Sequence, residues 1–187
     1  MSGRFRTLRS RLRDTRGFML AEQLVSIIFI GLLCVVIAAG LTAALSAYSN
    51  ITRQTNADNL LARTVEEVSN EFAYALTVEG TKDIEVQEPY SEIRFTSGSH
   101  REIMSLINSE AGRGIQSVTD SGKYANLVPP QHGLTATLQD VKYYRKASGG
   151  LPAGTWTFRV EVVNSGTNEI VAQTPGDSPM TVQRLGS

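Results

Sequence analysis

Cysteine is nearly absent from this chain of 187 residues: it holds one, Cys34, so no disulfide can form within it and stability has to come from packing. Cys34 lies inside an apolar run and reads as a small apolar residue in lipid or at a helix contact, since a palmitoylation site belongs nearer the membrane surface. Proline is missing before Pro89, and no glycine stands between Gly40 and Gly80, so nothing there forces a helix to break. Charge is missing too, with none between Glu22 and Arg53. The two histidines, His100 and His132, fall in predicted loops without a cysteine or carboxylate at ligand spacing, which predicts no metal site. No Gly-x-Ser-x-Gly motif occurs, and Gly112-Arg113-Gly114 is too short for a phosphate loop. We therefore expect no catalytic residue and no cofactor. The absence of an adjacent arginine pair near the N-terminus excludes a twin-arginine export signal.

What is present is unevenly placed. The formal net charge is zero, with 18 basic and 18 acidic residues. Six arginines (Arg4, Arg6, Arg9, Arg11, Arg13, Arg16) and one acid, Asp14, precede Phe18, which leaves 12 basic and 17 acidic residues after it, a net of −5. Residues 1–17 have no apolar periodicity and read as a cytoplasmic leader peptide. Residues 24–45 follow, 22 positions interrupted only by Ser26, Gly31, Gly40 and Thr42. As a helix they would span roughly 33 Å, enough for the hydrocarbon core of a bilayer. Arginines before the first apolar segment keep that end cytoplasmic and place the remainder outside. Ala44-Leu45-Ser46 is a passable signal-peptidase site, yet the apolar stretch exceeds the roughly 7 to 15 residues usual for a signal peptide. Glu22 also occupies an edge where signal peptides carry positive charge.

The helix is expected to continue past the membrane. Leu61, Val65, Val68, Phe72 and Leu76 recur as an amphipathic stripe, and Gly80 sits where a C-terminal cap belongs. One helix over residues 18–76 would be roughly 88 Å long, with a kink or fraying over the Ser-, Thr- and Asn-rich residues 49–59. Beyond Gly80 the period becomes two. Short strands are predicted at 83–86 and 92–95, and a short helix over 103–107, where a strand competes closely. Residues 112–133 carry too little periodicity to assign. Residues 134–146 and 155–163 are the clearest strands, Trp156, Phe158, Val160 and Val162 alternating with polar neighbours. A turn at Asn164-Ser165-Gly166-Thr167 leads into a strand over 169–174, and the tail from Pro175 reads as loop or an added edge strand. The fold class is α+β: a long N-terminal helix, with a transmembrane half (18–48) and an amphipathic half (49–76), packed on an antiparallel sheet mainly over 134–174. The exported domain would be residues 49–187.

Glu22 requires an explanation, because a carboxylate in a membrane helix costs on the order of 2.5–3.5 kcal/mol near the bilayer centre and less near an interface. At the cytoplasmic boundary it can simply stay hydrated. If the chain is cut after Gly17, a new amino group forms on Phe18, four residues before Glu22, at a helix start whose dipole favours a negative charge. In a bundle of such helices, Glu22 of one subunit can neutralise the Phe18 amine of a neighbour and so select the register.

Arg16-Gly17, then Phe18-Met19-Leu20-Ala21-Glu22, then an uncharged helix with Gly31 in its middle resemble the type IV prepilins and pseudopilins. The motif covers about the first third of the chain. The resemblance implies cleavage between Gly17 and Phe18 by an aspartic prepilin peptidase, N-methylation of Phe18, and a role for Glu22 in processing and subunit docking. It also implies a pilin-like fold, no catalysis by the chain itself, and a life in the cytoplasmic membrane and then in a filament. The implied partners are the peptidase, other pilin or pseudopilin subunits and the membrane platform of a pilus, competence or secretion machine. Proline is absent from the second half of the apolar helix, the C-terminal cysteine pair of many pilins is missing, and no glycine- and aspartate-rich calcium loop lies near Asp177. These departures favour a minor pilin or minor pseudopilin. The rival reading is a signal-anchored exported binding or enzymatic domain that does not polymerise.

Lys142-Tyr143-Tyr144-Arg145-Lys146 interleaves basic and aromatic residues, a pattern that can touch a nucleic-acid backbone. Residues 49–187 carry 12 basic and 16 acidic residues, a field mildly repulsive to DNA. Strand residues running into a turn account for Lys142, Arg145 and Lys146 equally well, so nucleic acid is not expected as a direct ligand.

Overall fold

The computed structural model describes residues 15–79, 93–110, 112–147, 149–176 and 178–185, with side chains from Met19 onward. A single helix, α1 (Thr15–Ala73), runs for 59 residues, and its helical assignment is unbroken through residues 49–59, where fraying was expected. Within this stretch the Gln54 amide donates to Asp58 Oδ1 at 3.1 Å, an i to i+4 contact along the helix surface. The chain divides into two units, Met1–Ile51 and Thr52–Ser187, so α1 contributes to both.

In the second unit α1 is followed by nine strands, β1 (Thr77–Glu79), β2 (Arg94–Thr96), β3 (Ile103–Asn108), β4 (Ile115–Thr119), β5 (Tyr124–Val128), β6 (Leu134–Tyr144), β7 (Thr155–Asn164), β8 (Ile170–Gln173) and β9 (Met180–Gln183). They form two antiparallel sheets, one in the order β1-β2-β3-β4-β5 and one in the order β6-β7-β8 with β9 also on β7. The arrangement is α+β, a long N-terminal helix and antiparallel sheets. Residues 103–107 are strand and not helix. Their order of apolar residues fits both periods, and pairing with β2 and β4 on either side decides for the extended form. Residues 112–133, unassigned from sequence, hold β4 and β5, and the tail supplies an edge strand in β9. The strand expected at 83–86 and Gly80 lie outside the described residues, whereas the strand expected at 92–95 is matched by β2, which starts at Arg94 and runs one residue further, to Thr96.

The helix stripe that packs is Ala57, Leu60, Thr64, Val68 and Phe72, all buried, and Ala75 just past the helix end is buried with them. Leu61 and Val65 flank it, and Leu76, expected on it, is exposed because the helix has ended at Ala73. Thr64 is tolerated on a buried face because its hydroxyl donates to Leu60 O at 2.6 Å. Phe72 is the hub. Its ring stacks on Trp156 at 4.3 Å and meets Phe95 at 5.7 Å and Phe158 at 5.6 Å edge-on, so one helical side chain touches both sheets.

Along β6 the inward parity changes from Leu134, Ala136 and Leu138 to Val141 and Tyr143. A bulge makes the change: Gln139 pairs with Arg159 and Lys142 with Thr157, so Asp140 and Val141 together face Phe158, and Asp140 adopts φ +50°. Asn108 joins the two sheets. Its side-chain amide donates to Leu138 O and its carbonyl accepts from Leu138 N, both at 2.8 Å, as a neighbouring strand would.

The last turn of α1 has no basic residue to meet its free carbonyls. The segment after β9 takes that place: Leu185 N donates to Ala73 O at 2.8 Å, and Arg184 Nη1 to Leu76 O at 3.1 Å.

Candidate functional site

From Met19 to Ile51 every residue of α1 is exposed, Met19, Leu24, Ile28, Phe29, Leu33, Ile37, Leu41 and Leu45 among them. None of the span is buried within the molecule, which sets it apart from the core helix of a soluble domain. By length and composition it is a candidate membrane span. Exposed apolar surface on this scale needs lipid or another helix to remove it from water.

Inside the span the polar groups are few. The Thr42 hydroxyl folds back onto Ala38 O and Ala39 O at 3.1 and 2.9 Å. A Cβ at Gly31 or Gly40 would meet nothing within 4 Å, so both helical faces are open to close approach. Cys34 is exposed as a free thiol on this surface. Glu22 is exposed and has no ion-pair partner among the described residues. Gly17 and Phe18 lie in the first turns of α1, upstream of the described side chains.

The second unit holds a polar cluster that the sequence did not announce. Glu71, on α1, accepts the Ser97 hydroxyl at Oε2 (2.8 Å) and the Ser99 hydroxyl at Oε1 (2.7 Å). His100 Nδ1 lies 2.8 Å from Ser99 Oγ and 3.9 Å from Glu71 Oε1. Serine, histidine and carboxylate in one place invite comparison with a nucleophile and its base. The hydrogen bonds run otherwise. Both hydroxyl protons go to the carboxylate, so Ser99 Oγ is left to accept from the Nδ1–H of His100. The amides of Ser99 and His100, which an oxyanion would need, both donate to Ser97 Oγ at 3.2 and 3.1 Å. The cluster is a clamp that ties the turn after β2 to the last turn of α1. Gly98 is required there, since a Cβ would collide with Tyr74 O. Its signal in the sequence is the Ser-Gly-Ser turn; its partner, 26 positions upstream, carries none.

The other residues singled out from the sequence are dispersed. Lys142 stands opposite Thr157 on β6, Arg145 donates to Val78 O at 2.7 Å, and Lys146 lies just beyond the strand end. His132 occupies a turn at φ +52°, just before β6. Gly112 and Gly114 both take positive φ in the β3–β4 hairpin, where Ser109 N donates to Gly114 O at 2.9 Å, so this loop is a turn and not an anion cradle. Among the described residues no three of His, Cys, Asp and Glu come together to hold a metal ion.

No protein-family model, no curated protein and no solved structure matches this chain.

Proposed function

We propose that the chain is the precursor of a pilin-like structural subunit, of the minor pilin or minor pseudopilin kind, serving a type IV pilus, competence or secretion-type filament. The observation that carries this reading is the lone carboxylate of Glu22 at the start of a wholly exposed apolar helix, four residues after Phe18. Glu22 finds no counter-charge among the described residues, and an α-amino group released on Phe18 of a neighbouring copy supplies one. The basic leader holds residues 1–17 in the cytoplasm, the candidate span anchors the precursor in the cytoplasmic membrane, and the second unit faces outward. A prepilin peptidase cuts after Gly17, Phe18 is N-methylated, and α1 then packs against the helices of other subunits on the platform of the assembly machine. The role is structural, without catalysis by the chain and without a bound cofactor, and nucleic acid is not its direct ligand.

Cleavage position tests the reading. Mass analysis of the mature protein from cells with an active prepilin peptidase is expected to find methylated Phe18 at the N-terminus. An intact leader, or a start near Ala47 from signal-peptidase cleavage, overturns it in favour of an anchored domain that does not polymerise.

A further inference from the structure

Among the described residues of the second unit, five large apolar side chains are exposed, and three of them, Tyr74 (58%), Leu76 (52%) and Leu185 (70%), gather where α1 ends. Two backbone-directed contacts bring them together, Leu185 N to Ala73 O and Arg184 Nη1 to Leu76 O. The patch has a cationic rim. Arg184 and Arg145 donate to the carbonyls of Leu76 and Val78, and among the described residues neither meets a carboxylate. Arg184 Nε is buried with no acceptor, so a partly desolvated guanidinium is left with donor capacity unused.

A complementary feature stands at the other end of the same unit. The β7–β8 hairpin presents Ile170, 50% exposed, beside Glu169, whose side chain is 67% exposed. Arg53 pairs with Glu169 at 3.4 Å, an exposed contact of the kind that water and salt weaken, so the carboxylate remains free to change partner. Arg53 and Ala73, which mark the two ends, are 20 helical residues apart, about 30 Å.

We infer that the α1-terminal patch docks on the β7–β8 hairpin of a second copy of this chain. Tyr74, Leu76 and Leu185 enclose Ile170, and the guanidiniums of Arg184 and Arg145 take the Glu169 carboxylate. The two surfaces differ and lie at opposite ends of one unit, so each copy keeps one of each unsatisfied. Such a heterologous contact propagates end to end, whereas a self-complementary patch would close as a dimer. This rests on the filament-subunit reading and names the contact between exported domains, separate from packing of the apolar helices.

The test uses the full chain in native membranes with Cys34→Ser as background. Leu185→Cys combined with Ile170→Cys is expected to give a ladder of dimers, trimers and higher species on mild oxidation, and either single variant no ladder. Both side chains are exposed, so folding is preserved. Glu169→Arg added to the pair is expected to lower the cross-linked yield at least ten-fold, and a further Arg145→Glu to restore most of it. A pair that fails to cross-link, or a ladder indifferent to Glu169→Arg, overturns the docking. Phe18 at the mature N-terminus in the same samples shows whether the filament reading itself stands.

Discussion

Phe72 is the side chain through which the helix reaches both sheets, and its removal has a readout built into the chain. The sole tryptophan, Trp156, is fully buried and stacks on it. Phe72→Ala would leave a cavity at the meeting point of Phe95, Trp156 and Phe158, next to an existing void of about 10 Å³ that is lined by Phe72, Ile93, Phe95, Leu106, Val141 and Trp156. We expect a loss of about 3–5 kcal/mol in urea unfolding of the micelle-solubilised chain, followed by tryptophan emission. A cost below about 1 kcal/mol would show that the two sheets hold together without the helix. Glu22 is the residue with the opposite logic, since its environment within one chain asks nothing of it. Glu22→Ala is expected to leave membrane insertion intact and to reduce recovery of the protein in sheared filaments by an order of magnitude or more. Equal recovery would remove the charge-pair account of register.

At the level of elements, legibility followed the source of each element's stability. The helix was readable because its signals are internal: thirty uncharged positions from Gln23 to Thr52, no proline, and an apolar repeat. So were β6 and β7, whose long alternation survives even though the bulge at Asp140 reverses parity halfway along β6. The five-stranded sheet was not readable as a sheet. Its strands are three to six residues long, and β4 and β5 carry Gln116, Ser117 and Asn126, which hydrogen-bond to their neighbours and follow no apolar period of their own. Pairing made those strands, and pairing partners are invisible in a local window. The candidate site divides similarly: Gly17, Phe18 and Glu22 stand out through a local motif that resembles the prepilins, whereas the Glu71 clamp and the Tyr74, Leu76 and Leu185 patch exist only once the chain has folded. Asn108 is the clearest case, a single amide serving as a strand. Asn108→Ala strips both hydrogen bonds from the Leu138 backbone and is expected to cost about 1–3 kcal/mol. Hydrogen exchange at Leu138 N–H should rise more than at its neighbours on β6; unchanged protection there would show that water or another group replaces the side chain.

For the whole molecule, the two units present opposite surface chemistries. The first exposes apolar side chains along its entire described length, and the second encloses its apolar groups around Phe72 and Trp156 and shows mostly polar residues. A chain of this kind suits two surroundings at once, lipid or helices for one unit and water for the other. The closure at Ala73 adds a constraint of timing. The carbonyl of Ala73 waits for an amide 112 positions later, at Leu185, and Phe72 waits for Trp156. At a ribosome speed of about 5–20 residues per second, the helix terminus stays uncovered for roughly 6 to 22 seconds after it is made. Until Trp156 is made, 84 positions after Phe72, the nascent domain shows its aromatic hub to whatever is nearby, and a holdase or translocase that shields one face of residues 57–75 would be guarding the fold before the fold exists.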